Sequence, residues 1–137
     1  MPVEQRVITA VDSAGRSYEV TARASTDTRH YRLELESPEF GTHVAEAADV
    51  FECLCQLRMQ LGEDAIRLCC NGARLNVWPS GMARDMGGGF KAYALQMGRK
   101  ASREDLVDIF DAAPIDTIAT VKEQRRFNKE WLSSPKI

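Results

Sequence analysis

The sequence predicts an α+β domain, residues 1–137, whose mainly antiparallel, twisted sheet has about six to seven strands and two packed helices. Three observations carry that expectation. The first third alternates apolar and polar residues between tight turns, as in an antiparallel meander. The apolar residues between Val44 and Leu61 recur at helical spacing. Thr120-Val121-Lys122-Glu123 matches a capping box, in which the hydroxyl and the carboxylate each satisfy an orphan backbone donor.

Taken in order, Arg6–Val11 is β-rich, and Asp12-Ser13-Ala14-Gly15 is a turn cluster. Tyr18, Val20 and Ala22 then alternate with Glu19, Thr21 and Arg23, and after a polar turn over 25–28 Tyr31, Leu33 and Leu35 alternate with His30, Arg32, Glu34 and Glu36. Ser37-Pro38-Glu39-Phe40-Gly41 breaks the pattern. Thr42 is placed to cap a helix through Leu61, with Gly62 as its C′ residue because glycine takes the left-handed conformation freely. A strand over 65–70 meets Asn71-Gly72, a dipeptide that favours a type I′ hairpin and a returning strand over 73–78. Residues 79–89 read as a glycine-rich loop. Strands over 90–97 and 106–110 follow, then an ordered connection over 111–119 and a helix to Leu132 in which Phe127 and Trp131 share one face.

The 137 residues are 44% apolar and 28% charged, with a net charge of −2. This is the composition of one soluble globular domain, and it excludes disordered and collagen-like chains. Met1-Pro2-Val3-Glu4-Gln5-Arg6 lacks the basic and apolar segments of a secretory signal, and no apolar run approaches the roughly 20 residues that span a bilayer. The expectation is a cytoplasmic protein with no membrane partner. Cys53 and Cys55, and the vicinal Cys69 and Cys70, lack zinc-knuckle spacing and read as reduced core thiols, so no metal or other cofactor is expected.

No enzyme emerges. His30 and His43 read as surface residues, and Trp78-Pro79-Ser80-Gly81-Met82 departs from the GxSxG nucleophile elbow. Gly87, Gly88 and Gly89, with Arg84 and Lys91 nearby, offer an alternative: a small anion- or nucleotide-binding domain whose backbone N–H groups cradle a phosphate. Against it, the segment lacks GxxxxGK[ST] and leads into a strand rather than a helix.

Charge is unevenly distributed. Residues 120–137 carry +3 and residues 1–119 carry −5. The near-neutral total argues against direct nucleic-acid binding, and the acidic body, with Glu34, Glu36, Glu39, Glu46, Asp49, Glu52, Glu63 and Asp64, suits a basic protein partner. Trp78 beside Arg84, Asp85 and Lys91 has the composition of an interface hot spot, which makes these four the candidate partner-binding residues.

The stretch from Asn76 to Gly89, together with Asp108-Ile109-Phe110-Asp111, resembles small bacterial immunity proteins of contact-dependent growth inhibition systems, over residues 72–132. The resemblance implies an antitoxin-like cytosolic protein that binds the C-terminal domain of a cognate toxin, often a nuclease, and blocks its active site without catalysis of its own.

Overall fold

A computed structural model describes residues 3–27 and 29–137. Alternation builds the first sheet. Strands β1 (Val3–Asp12), β2 (Ser17–Thr26), β3 (Tyr31–Ser37) and β4 (Gly41–Ala47) pair antiparallel in succession, and β5 (Ile66–Leu68) adds to the free edge of β1, giving the order β4-β3-β2-β1-β5. In this register Ile8 faces Val20, Ala22 faces Leu35 and Leu33 faces Ala45, so the middle of one side of the sheet is apolar. Helix α1 (Val50–Leu61) lies across that side and buries Val50, Phe51, Cys53, Leu54, Cys55 and Leu57. Each large side chain so buried stabilises the fold by about 1.5–3 kcal/mol.

A second sheet has the order β6-β7-β8, from β6 (Val77–Trp78), β7 (Lys91–Ala94) and β8 (Leu106–Asp108). Its buried residues Val77 and Ala92, with Ile109 and Phe110, join the same hydrophobic core. Helix α3 (Val121–Ser133) closes this end, and the expected capping box at Thr120 and Glu123 is formed. The fold class is therefore α+β as expected. Among the described residues the single sheet of six to seven strands is instead two antiparallel sheets with eight strands in all, and there are three α-helices rather than two.

The differences have local causes. The long helix expected from Thr42 is split. Residues 42–47 belong to β4, because the turn at Ser37–Gly41, with Gly41 at φ +79°, folds the chain back onto β3. Asp49 is the true N-cap, its carboxylate accepting from the Glu52 N–H at 2.8 Å. His43 thus sits in a strand, its ring nitrogen 3.2 Å from the Phe40 carbonyl. At the other end Gly62 does cap α1, with φ +87°.

Asn71-Gly72 makes no I′ hairpin, since neither residue has positive φ; it forms one 3-10 turn. Gly72 is needed for space. A Cβ there would lie 2.6 Å from Leu54 Cδ2 and 3.1 Å from Ile109 Cβ. β5 therefore pairs with β1, and the chain crosses to the second sheet. Phe127 and Trp131 also part company: Phe127 lies in a shallow hollow with Leu75, whereas the Trp131 indole N–H donates to the Gln96 and Arg99 carbonyls at 3.0 Å each. The turn expected over 25–28 starts later: Ser25 and Thr26 still pair in β2, and the chain turns after Asp27, whose carboxylate accepts from the N–H groups of Arg29 and His30; Thr28 lies outside the described residues, as do Met1 and Pro2.

Two polar ties join the two halves, and a third extends one of them into the second half. Arg6 on β1 reaches Asp108 at 2.7 Å and also pairs with Asp111. Arg58 on α1 is buried and donates to Gln124 Oε1 at 2.5 Å and to the Ala119 carbonyl. The fully buried Gln124 amide in turn donates to the Gly72 and Arg74 carbonyls at 2.9 and 2.8 Å. No helix among the described residues is long and apolar enough to cross a membrane.

Candidate functional site

The segment read as a glycine-rich loop is largely helix. Ser80 caps α2 (Gly81–Gly87), its hydroxyl accepting from the Ala83 N–H at 3.0 Å, and Gly88 ends the helix in the left-handed conformation. The glycines are consumed by packing. A Cβ on Gly88 would fall 2.5 Å from the Tyr31 hydroxyl, and one on Gly89 would fall 2.9 Å from Asp49 Oδ1. The N–H groups of Gly88 and Gly89 donate to the Arg84 and Ala83 carbonyls at 3.1 Å each, and that of Phe90 to Gly87 at 3.4 Å. With those donors engaged and the Asp49 carboxylate alongside, the geometry of a phosphate cradle is not formed.

Arg84 is the fastener of this region. Its guanidinium donates to Asp49 Oδ2 at 2.9 Å. Its Cζ lies 5.3 Å from the Phe51 ring centroid and 5.4 Å from that of Trp78. Phe51 and Trp78 themselves meet edge to face at 5.2 Å. Such cation–π contacts contribute about 0.5–2 kcal/mol according to desolvation. The Gly88 carbonyl also accepts from the Val50 N–H at 2.7 Å, so the middle and the C-terminal end of α2 are pinned to the start of α1.

The outer face of α2 is left apolar. Met82 is 71% exposed and Met86 82%. Beside it runs a groove of about 490 Å³ between α2, β7 and α3. Trp78, Tyr93, Leu95, Trp131 and Leu132 form its apolar walls, and Ser80, Arg84 and Asn128 are its polar groups. That size and mixture are typical of a recognition site. Of the four partner-binding residues named from the sequence, Trp78 and Arg84 line this groove. Asp85 is exposed on α2 and Lys91 is exposed at the start of β7, and neither lines it. Tyr93, the aromatic that follows the glycine segment in sequence, pairs with Trp78 across β6 and β7, whereas Asn128 and Trp131 join from α3, far away in sequence.

The acidic residues do not converge. Glu34 and Glu36 on the outer sheet face flank Arg23, which donates to them at 2.9 and 3.1 Å, and Arg32 lies 3.7 Å from Glu34. Asp49 is committed to Arg84, and Glu63 accepts from the Val121 N–H at 2.8 Å. The acidic body inferred from counting is thus dispersed and partly neutralised.

All four cysteines are buried and free. Burial pushes the Cys53 and Cys70 thiols up to about 11 and the Cys55 thiol up to about 12, and raises Cys69 as well, so they are protonated and poorly nucleophilic at neutral pH. Among the described residues no group of three His, Cys, Asp or Glu side chains is placed to hold a metal ion. No family model and no curated protein matches this chain.

Proposed function

We propose that this chain is an immunity-type binding protein that docks on a toxin domain through the face formed by α2 and the adjoining groove, and inhibits it by covering its active site. The observation that carries the reading is the pinned α2. A short helix with two exposed methionines is held rigid by Arg84, Asp49, Phe51 and Trp78. Preorganised apolar surface beside an aromatic groove binds protein without an ordering penalty, and methionine adapts to irregular partner surfaces. The toxin class, nucleases among them, rests on the resemblance over residues 72–132.

The test is co-purification with the product of the adjacent gene. A stable complex is expected, and Met82→Asp with Met86→Asp is expected to weaken it at least about tenfold without changing Tm. Absence of a complex at micromolar concentration would overturn the reading. Asp85→Arg is a clean companion variant because Asp85 is exposed. Arg84→Glu is not, since it sets a second carboxylate against Asp49 and disturbs the support of the helix.

A further inference from the structure

The groove carries a charge pattern that the residue count obscures. On α3, helical spacing puts Arg125 and Lys129 on the flank next to the line of Asn128 and Leu132, while Glu123 and Glu130 fall on the opposite flank beside Leu75 and Phe127. At the far end of the groove Ala101 is bracketed by the exposed Lys100 and Arg103. Among the described residues Lys100, Arg103 and Lys129 have no carboxylate within 4.0 Å, and Arg125 only reaches Glu52 at 3.9 Å. Of the carboxylates in the same region, Asp105 accepts from the Ser102 N–H at 2.9 Å and Asp49 holds Arg84, while Glu104 is exposed beside Arg103 and offsets part of that turn's charge, which leaves Lys129 and Lys100 as the main rim cations. The groove is therefore an aromatic trough with unpaired cations on its rim.

We propose that the groove receives an acidic peptide segment of a partner protein, one apolar or aromatic side chain entering between Trp78 and Trp131 and flanking carboxylates meeting Lys129 and the Lys100–Arg103 turn. This rests on the reading that the α2 face docks a protein, and it names the chemistry of the docked segment, which need not belong to a toxin. Volume limits the anchor, since about 490 Å³ holds one large side chain with its backbone. Rim cations select the sign of the flanking residues. A long nucleic-acid strand is disfavoured, because residues 1–68 carry seven Lys and Arg against twelve Asp and Glu and would repel a polyanion extending past the groove.

The chain has two tryptophans, Trp78 and Trp131, and both line the groove, so intrinsic fluorescence reports on this site. The probe is a blocked pentapeptide with a central phenylalanine and two aspartates on each side, titrated into the full chain. The expected result is a saturable change in emission below about 1 mM, weakened about fivefold or more by exchanging the aspartates for asparagines and lost on exchanging the phenylalanine for alanine. Lys129→Glu should weaken binding by a similar factor. Arg29→Glu, the same charge change at the remote turn between β2 and β3, should leave it within about twofold. A silent groove at that concentration, equal binding of the asparagine peptide, no effect of Lys129→Glu, or tighter binding of a five-nucleotide oligothymidylate would each overturn the inference. A failed co-purification with peptide binding intact overturns the toxin reading alone. A silent groove with an intact complex overturns this inference alone.

Discussion

The two sheets reach stability by different means. The five-stranded sheet has strands of seven to ten residues apart from β5, and its inner face is closed by apolar packing against α1. Most of its backbone groups pair with neighbouring strands, and apart from Glu4 and Arg6 near one end its charged strand side chains lie largely on the outer face, where ion pairs such as Arg23 with Glu34 are screened. The second sheet has strands of two to four residues, too short to hold themselves. Side chains take over there: Gln124 satisfies the turn at Gly72 and Arg74, Asn76 donates to the Leu95 carbonyl at 3.0 Å, and Trp131 gathers the 96–99 turn. The regular half is a support. The irregular half, fastened by single side chains, presents the groove and α2.

Gln124→Leu gives the sharpest contrast between the halves. It strands the Gly72 and Arg74 carbonyls and one end of the buried Arg58, so urea unfolding should show a loss of about 3 kcal/mol or more. Gly72→Ala should cost about 2 kcal/mol through its clash with Leu54 and Ile109, and a coupled Leu54→Ala change should relieve the clash while opening its own cavity. Arg23→Gln, on the regular half, should change stability by less than about 0.5 kcal/mol; a larger effect would mean that the outer-face ion pairs carry more of that sheet than its ladders do. A further effect is confined to alkaline pH. The Cys55 thiol titrates near 12 in the fold against an ordinary 9.0, so the unfolded chain releases its proton first. Its contribution is full below about pH 9 and is lost as pH rises toward 12, so the urea midpoint should fall over that range, and less in Cys55→Val.

Where pattern is local the sequence was legible. Alternation identified β2 and β3 with the correct faces, Gly62 ended α1, and the capping box at Thr120 opened α3. The helix before Leu61 was drawn too long because Val44, Ala47 and Ala48 mimic helical spacing; Asp49-Val50-Phe51-Glu52, itself a capping-box pattern, marked the true start. α2 was also signalled, by Ser80 as N-cap and Gly88 as C′, but three successive glycines suggested a loop. Asn71-Gly72 could not be read locally, since its conformation follows from the buried crossing beside Leu54 and Ile109. The candidate site is half visible: Trp78, Arg84 and Tyr93 are close in sequence, whereas Asn128 and Trp131 reach the groove through tertiary packing alone. The acid count misled because Arg23, Arg32 and Arg84 sit among the carboxylates in space.

The central claim is that α2 and the groove are the docking face. Hydrogen exchange of the full chain, free and bound to the co-purified product of the adjacent gene, tests it most directly. The account predicts new protection over residues 81–87, 93–101 and 125–132, with strands β2, β3 and β4 unchanged. Protection confined to those strands, with α2 and the groove exchanging as in the free chain, would contradict it.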